Sequence, residues 1–221
     1  RALFTWLCLN IRYDMESYVN GQTEIGFSYT SKADFNRKMQ AINNSIVNKT
    51  LKSRKAVCEG YAQTFKQVSE YLGIPCKLIG GYAKGEVSDI NNPPKDENHA
   101  WNAVKIDNKW YLIDATWGAG HTNGRRWVAQ FDDFYFFTNP DEFSLTHYPT
   151  EKEWLLTETS LTKKQFYSKP IYKKSFFLNR LKLISPKSGT IEVSTNNDIT
   201  FLMSKIPENI HLYYVFRGDK Y

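Results

Sequence analysis

No run of eighteen or more apolar residues occurs in this 221-residue chain, so its sequence offers no membrane-spanning helix. The apolar opening Ala2 to Leu9 lacks a charged leader and a small-residue cleavage site, and therefore does not read as a secretion signal. Arg1 falls inside what reads as a helix and Tyr221 in what reads as a strand connection, so the chain is expected to be a fragment from which a targeting signal could be missing. Cysteine is scarce. Three residues, Cys8, Cys58 and Cys76, are too few and odd in number for a disulfide framework, which favours a reducing, cytoplasmic setting. The sequons Asn43-Asn44-Ser45 and Asn48-Lys49-Thr50 lie in so asparagine-rich a stretch that they read as coincidence.

The four histidines and three cysteines show none of the usual metal-ligand spacings, and Asp132, Asp133, Asp141 and Glu142 do not form a calcium loop. No metal or cofactor is expected. Net charge is +6, from 29 Lys and Arg against 23 Asp and Glu, but the basic residues are scattered among carboxylates and no basic stripe marks a nucleic-acid binder. The densest cluster, Lys52, Arg54 and Lys55, reads as a solvated loop. It also lies just before Cys58, where positive charge would favour a thiolate.

What is present suffices for a buried core: 41% of residues are hydrophobic and 15% aromatic. Leu3, Trp6, Leu7 and Ile11 recur at helical spacing. Ser31 is placed to cap a second helix whose stripe, Phe35, Met39, Ile42 and Ile46, reads as core. A third helix starts near Cys58, runs through Ala62, Phe65, Val68 and Leu72, and stops at Gly73 before Pro75. Strands are expected at Cys76 to Tyr82, His99 to Ile106, Trp110 to Ala115 and Phe131 to Phe137, with a polar loop from Lys84 to Asn98. Short helical pieces are expected near Asp141 to Phe143 and Thr150 to Leu156, and Pro170 marks a linker. Helices followed by an antiparallel sheet make an α+β domain over residues 1–170. Beyond about 175, Leu181 to Ile184, Thr190 to Ser194, Ile199 to Met203 and His211 to Phe216 read as strands of an incomplete, sandwich-like second domain, 175–221.

Three residues carry candidate chemistry. A lone cysteine is by default a small buried hydrophobe, but Cys58 sits at a helix N-terminus, whose N–H groups and dipole favour a thiolate. His99 opens a strand directly after the polar loop, a position from which its ring can reach a cleft; His121, His147 and His211 lack such a setting. With Asp107-Asn108 as a two-residue turn, residues whose numbers sum to 215 face each other, so Trp101 opposes Asp114 and puts His99 on the same sheet face. An aspartate there can fix the imidazole's tautomer and stabilise its charged form. Trp101 and Trp117 flank the presumed cleft and are candidates to line it, though tryptophans beside a sheet are more often core.

The stretches Arg54 to Ala62, Asn98 to Asn102 and Trp110 to Gly118 resemble, in order, the three core motifs of the transglutaminase-like superfamily; Ala56 stands where glycine is common. The run Phe131 to Pro140, with His147-Tyr148-Pro149 and Trp154-Leu155-Leu156, resembles the extension of its kyphoscoliosis peptidase and hillarin group. The resemblance implies a papain-like α+β core followed by a partial, immunoglobulin-like all-β domain. It implies Cys58 as nucleophile, His99 as general base and acid and Asp114 as orienter, acting through a thioester on protein or peptide amides. Whether water or an amine resolves the thioester stays open. The alternative it leaves is a scaffold without turnover that binds a cytoskeletal protein. A peptide N-glycanase is disfavoured because that enzyme's CxxC pairs are absent.

Overall fold

The computed structural model describes every residue except 22–25, 125, 159, 193–197, 205, 207 and 209–221. Helix α1 (Ala2–Asn10) buries Phe4, Leu7 and Cys8. Strand β1 (Arg12–Tyr13) and helix α2 (Met15–Asn20) follow, the helix capped by Asp14, whose carboxylate accepts from Ser17 N. Helix α3 (Lys32–Ser53) starts as expected at Ser31, whose hydroxyl accepts from Asp34 N. Its apolar stripe is only half-covered: Met39, Ile42 and Ile46 are half-buried and Phe35 is exposed, because one neighbouring helix contacts this face and Val47 and Thr50 make the deep contacts.

The chain leaves α3 through Arg54 and forms β2 (Lys55–Ala56), which pairs parallel to β1. Helix α4 (Cys58–Tyr71) comes next and packs against α1, α3 and the sheet. Gly60 permits the close crossing with α3, since a Cβ there would come within 2.7 Å of both Ala56 Cβ and Thr50 Oγ1.

The sheet holds five antiparallel strands. They are β3 (Cys76–Ala83), β4 (His99–Ile106), β5 (Lys109–Ile113), β8 (Phe136–Thr138) and β9 (His147–Pro149), in spatial order β8-β5-β4-β3-β9. The β4–β5 hairpin has the register forecast by the turn, Ile106 opposite Lys109 through Asn102 opposite Ile113. Asp107 and Asn108 have φ of 47° and 61°, the left-handed pair such a tight hairpin turn requires. Between β5 and β8 lie helix α5 (Ala115–Ala119) and a ribbon of β6 (Gly120–Asn123) and β7 (Arg126–Ala129). Helix α6 (Pro140–Phe143) precedes β9.

One core, built on Phe4, Leu7, Tyr61, Phe65 and Ile113, lies between helices and sheet; another, on Ile79, Trp101, Leu112 and Phe143, lies on the opposite face. Each fully buried large side chain of this kind contributes about 1.5–3 kcal/mol. The strand expected at Phe131 to Phe137 is shorter, because Asp132 caps a single 3₁₀ turn over Asp133–Tyr135 and only Phe136 onward pairs with β5.

The loop from Lys84 to Asn98 is not uniformly solvated either. Lys84 is buried, its ammonium donating to the carbonyls of Lys169 (2.7 Å) and Pro170 (3.3 Å). Burial pulls its pKa down to about 8. The segment read as a linker is therefore anchored, following helix α7 (Lys163–Ser168) and leading into helix α8 (Lys174–Leu178), ahead of the first strand expected at Leu181. Lys173 donates to Gly85 O and Lys174 pairs with Asp132, while Phe177 stacks on Phe134. Of the four later strands, β10 (Leu183–Ser185) and β11 (Leu202–Met203) form an antiparallel pair. Those expected at Thr190 to Ser194 and His211 to Phe216 lie partly and wholly outside the described residues. Among the described residues no helix is long and apolar enough to cross a membrane.

Candidate active site

Cys58 is the first residue of α4. Val57 before it supplies no side-chain cap, although its carbonyl accepts from Gly60 N (3.0 Å) in the first turn. The Arg54 guanidinium lies over the Trp6 ring, 4.6 Å from the centroid. Tyr61, one turn on, donates to Ile11 O at 2.5 Å and pins the helix to the end of α1.

His99 begins β4, 8% exposed. The preceding Asn98 clamps this strand start to β3, its Oδ1 accepting from Ala83 N (2.7 Å) and its Nδ2 donating to Ala83 O (2.9 Å). Three residues into β4, Asn102 donates to Ala62 O of α4 and Lys77 O of β3, at 3.0 and 3.2 Å. The strand carrying the histidine is thereby tied to the helix carrying the cysteine.

Asp114 is where the sequence reading needs correction. It is not a strand residue but the N-cap of α5; its Oδ1 accepts from Thr116 N (2.8 Å) and Trp117 N (3.0 Å), and the sheet ends at Ile113. Five helical residues are too few to leave a periodic signal. Its Oδ2 lies 2.7 Å from His99 Nε2, and His99 lines one cavity with Cys58. The structure thus brings Cys58, His99 and Asp114 together.

Burial pushes His99 towards neutrality, but the Asp114 carboxylate and the contact with Cys58 outweigh it and raise its pKa to about 10. Burial likewise opposes ionisation of Asp114, yet His99 and His147 hold its carboxyl well below the usual range.

His147, set aside in the sequence, also belongs here. Its Nε2 stands 3.0 Å from the same Asp114 Oδ2, its Nδ1 2.8 Å from Thr146 Oγ1, and it is 1% exposed. Nothing local marked it, because β9 is three residues long and meets Asp114 only through pairing with β3. The sole signal was the His147-Tyr148-Pro149 resemblance, which assigned it no role. Burial lowers its pKa to about 4 against the pull of Asp114.

A base with a depressed folded pKa is fully stabilising above its unfolded value near 6.5 and loses that contribution as pH falls. The melting temperature is expected to decline between pH 6.5 and 4, and His147→Leu to flatten that limb. A thermal-shift series against pH checks it; an unchanged limb in the variant would assign it to other groups.

Trp101 does not line the cleft. It is 1% exposed, wedged between Phe143 and His147 at centroid distances of 5.8 and 5.2 Å. Trp117 does line a cavity, of about 700 Å³, with Tyr13, Trp127, Tyr135 and Tyr172. A second cavity of about 380 Å³ contains Cys58, Glu59, Gly80 and Glu97. His99 borders both.

His99, Asp114 and His147 are the residue types of a metal site, their ligand atoms within 4.8 Å of one another. The 2.7 and 3.0 Å contacts are nevertheless hydrogen-bond distances, shorter than the roughly 3.3 Å edge of a tetrahedral zinc site with bonds near 2.0–2.1 Å. The other two cysteines take no part. Cys8 and Cys76 are buried, and burial raises the thiol of the first far above its ordinary value and that of the second to about 12.

The family model described as the transglutaminase-like superfamily matches residues 1–115 of the 221, which include Cys58, His99 and Asp114. The chain belongs to the transglutaminase-like superfamily. Kyphoscoliosis peptidase of Mus musculus is 28% identical over 210 residues, covering 94% of this chain and 29% of that protein. Hillarin of Drosophila melanogaster is 26% identical over 180 residues (75% and 22%), and cytokinesis protein 3 of Schizosaccharomyces pombe 29% over 129 (54% and 15%). This transglutaminase-like chain thus spans less than a third of the length of these relatives.

Proposed function

We propose that the chain catalyses acyl transfer or hydrolysis on protein or peptide amides through a Cys58-His99-Asp114 triad. The observation that carries this reading is His99 hydrogen-bonded to Asp114 Oδ2 at 2.7 Å while lining the same cavity as Cys58. The Cys58 thiolate attacks the amide carbonyl, the oxyanion is met by the Cys58 N–H at the start of α4, and His99 gives its proton to the departing amine as the C–N bond breaks. Water or a second amine then attacks the thioester, losing its proton to His99, and the thiolate leaves. Two cavities meeting at His99 suit an acyl donor entering on one side and the resolving nucleophile on the other. The relative named as a peptidase supports the same chemistry. This reading includes the finer architecture, a papain-like core over residues 1–170 and a partial immunoglobulin-like domain from about 175.

The test is alkylation by iodoacetamide at pH 6.5, mapped by mass spectrometry. Cys58 is expected to react ahead of Cys8 and Cys76, up to about 100-fold faster than an ordinary thiol, which is only about 1% ionised there, and His99→Ala to abolish the advantage. If Cys58 reacts as an ordinary thiol, the triad reading fails. The scaffold reading, to which the name of the yeast cytokinesis relative lends support, would then take its place.

A further inference from the structure

We propose that His147 is a positioning residue for the triad: its Nε2–H fills the last acceptor site of Asp114 and fixes the carboxylate that orients His99. The inference rests on the triad reading and adds a fourth member to it. An ionised carboxylate offers about four acceptor positions. In Asp114 the backbone N–H groups of Thr116 and Trp117 take two on Oδ1, and His99 and His147 take two on Oδ2. The side chain is 0% exposed, so bulk water does not substitute for a lost donor. Oδ2 only accepts, which requires the proton of His147 on Nε2; Nδ1 is then the acceptor, and the Thr146 hydroxyl, 2.8 Å from it against 3.3 Å from its other acceptor, Phe143 O, is placed to donate to the nearer nitrogen.

A neutral imidazole is well suited to this place. It donates to the carboxylate without bringing a second full positive charge to compete with the His99 imidazolium. The groups able to hold charge around the ring are Asp114, His99 and, 6.3 Å away, Tyr135. Its remaining neighbours are aromatic. Phe143 stacks on it at 3.9 Å and 19°, Trp117 lies at 4.6 Å, and Trp101 meets it edge-on at 5.2 Å, so the ring cannot swing away from Asp114. Strand β9 delivers it, with His147 opposite Ala83. The site is therefore complete only when the outermost strand has closed on β3.

The opposing reading is a core histidine that merely packs, and it makes a different forecast. In the whole chain, His147→Leu keeps apolar bulk and removes the donor, whereas His147→Gln keeps an N–H donor and packs worse among aromatics. Alkylation of Cys58 at pH 6.5 is expected to slow about tenfold or more in the leucine variant and to return to within about threefold of wild type in the glutamine variant. Near-UV circular dichroism establishes that each is folded. A leucine variant as fast as wild type, or a glutamine variant as slow as leucine with both folded, overturns the proposal.

If His147→Leu does not fold, Thr146→Val and Thr146→Ser decide. Loss of the hydroxyl that holds the tautomer should slow the reaction, and serine should not; equal rates in both overturn the proposal. His99→Gln run in parallel separates the two ideas. If it leaves the rate unchanged, the triad reading fails. If it slows the reaction while His147→Leu does not, only the role of His147 fails.

Discussion

An Asp114→Asn variant is expected to fold with its α5 cap intact and to have lost the special reactivity of Cys58. The amide oxygen can still accept from Thr116 N and Trp117 N, as asparagine does at N-caps. The amide nitrogen then stands where Oδ2 was, a donor aimed at two imidazole nitrogens that themselves now donate. Each ring must give up its Nε2 proton to accept. For His99 this moves the proton to Nδ1, the nitrogen left to take the thiol's proton, which it then cannot do. The imidazolium also loses its counter-charge.

Alkylation at pH 6.5 should therefore fall about 100-fold, to the rate of an unassisted thiol, and any amide turnover by on the order of 10³–10⁴, the size seen when an orienting acid is amidated in other triads. Stability should drop by only about 1–3 kcal/mol. The measurements are alkylation kinetics with a denaturation curve on the same sample. A variant that labels at the wild-type rate would show that Asp114 serves α5 alone.

Gly81→Val should have the largest effect on folding. Gly81 is opposite His99 on one side and Pro149 on the other, at the point where β3 joins the strands carrying both histidines. A Cβ there would lie 2.4 Å from Tyr148 O, 2.7 Å from the Trp101 ring and 2.9 Å from Pro149 Cα. Two of those neighbours are backbone, which yields only if β9 moves. Overpacking of this kind costs about 1–3 kcal/mol and sometimes more, which lowers the melting temperature by about 6–12 °C at the upper figure for a chain of this size. Because β9 must shift, His147 shifts with it, and Cys58 should lose reactivity even at temperatures where the variant is folded. Thermal denaturation and alkylation of one preparation test both; a melting point within about 2 °C of wild type, less than 1 kcal/mol, would mean that β9 adjusts freely.

What could be read in advance was local. Ser31 announced a helix whose Asp34 N–H, three residues on, donates to its hydroxyl, Asp107-Asn108 set a register that holds for five pairs, and the pattern from Cys58 to Leu72 placed the thiol at a helix start. Each of these depends on residues within a few positions of one another. Most of the misses are meetings of distant segments. Lys84 is buried because a carbonyl 85 residues later receives it, and His147 matters because β9 crosses to β3. Arg12 and Lys55, 43 positions apart, pair in strands two residues long. Asp114 failed for a different reason: a helix of five residues has no periodicity, so an N-cap read as a strand end.

The seclusion of Cys8 and Cys76 gives the protein a practical property. With two thiols enclosed and pushed towards permanent protonation, the chain carries one half-buried chemical handle, and it lines the same cavity as His99. A thiol-directed fluorophore or spin label would attach there in unit stoichiometry without any cysteine being engineered away, and its signal would report on whatever peptide comes to lie beside it.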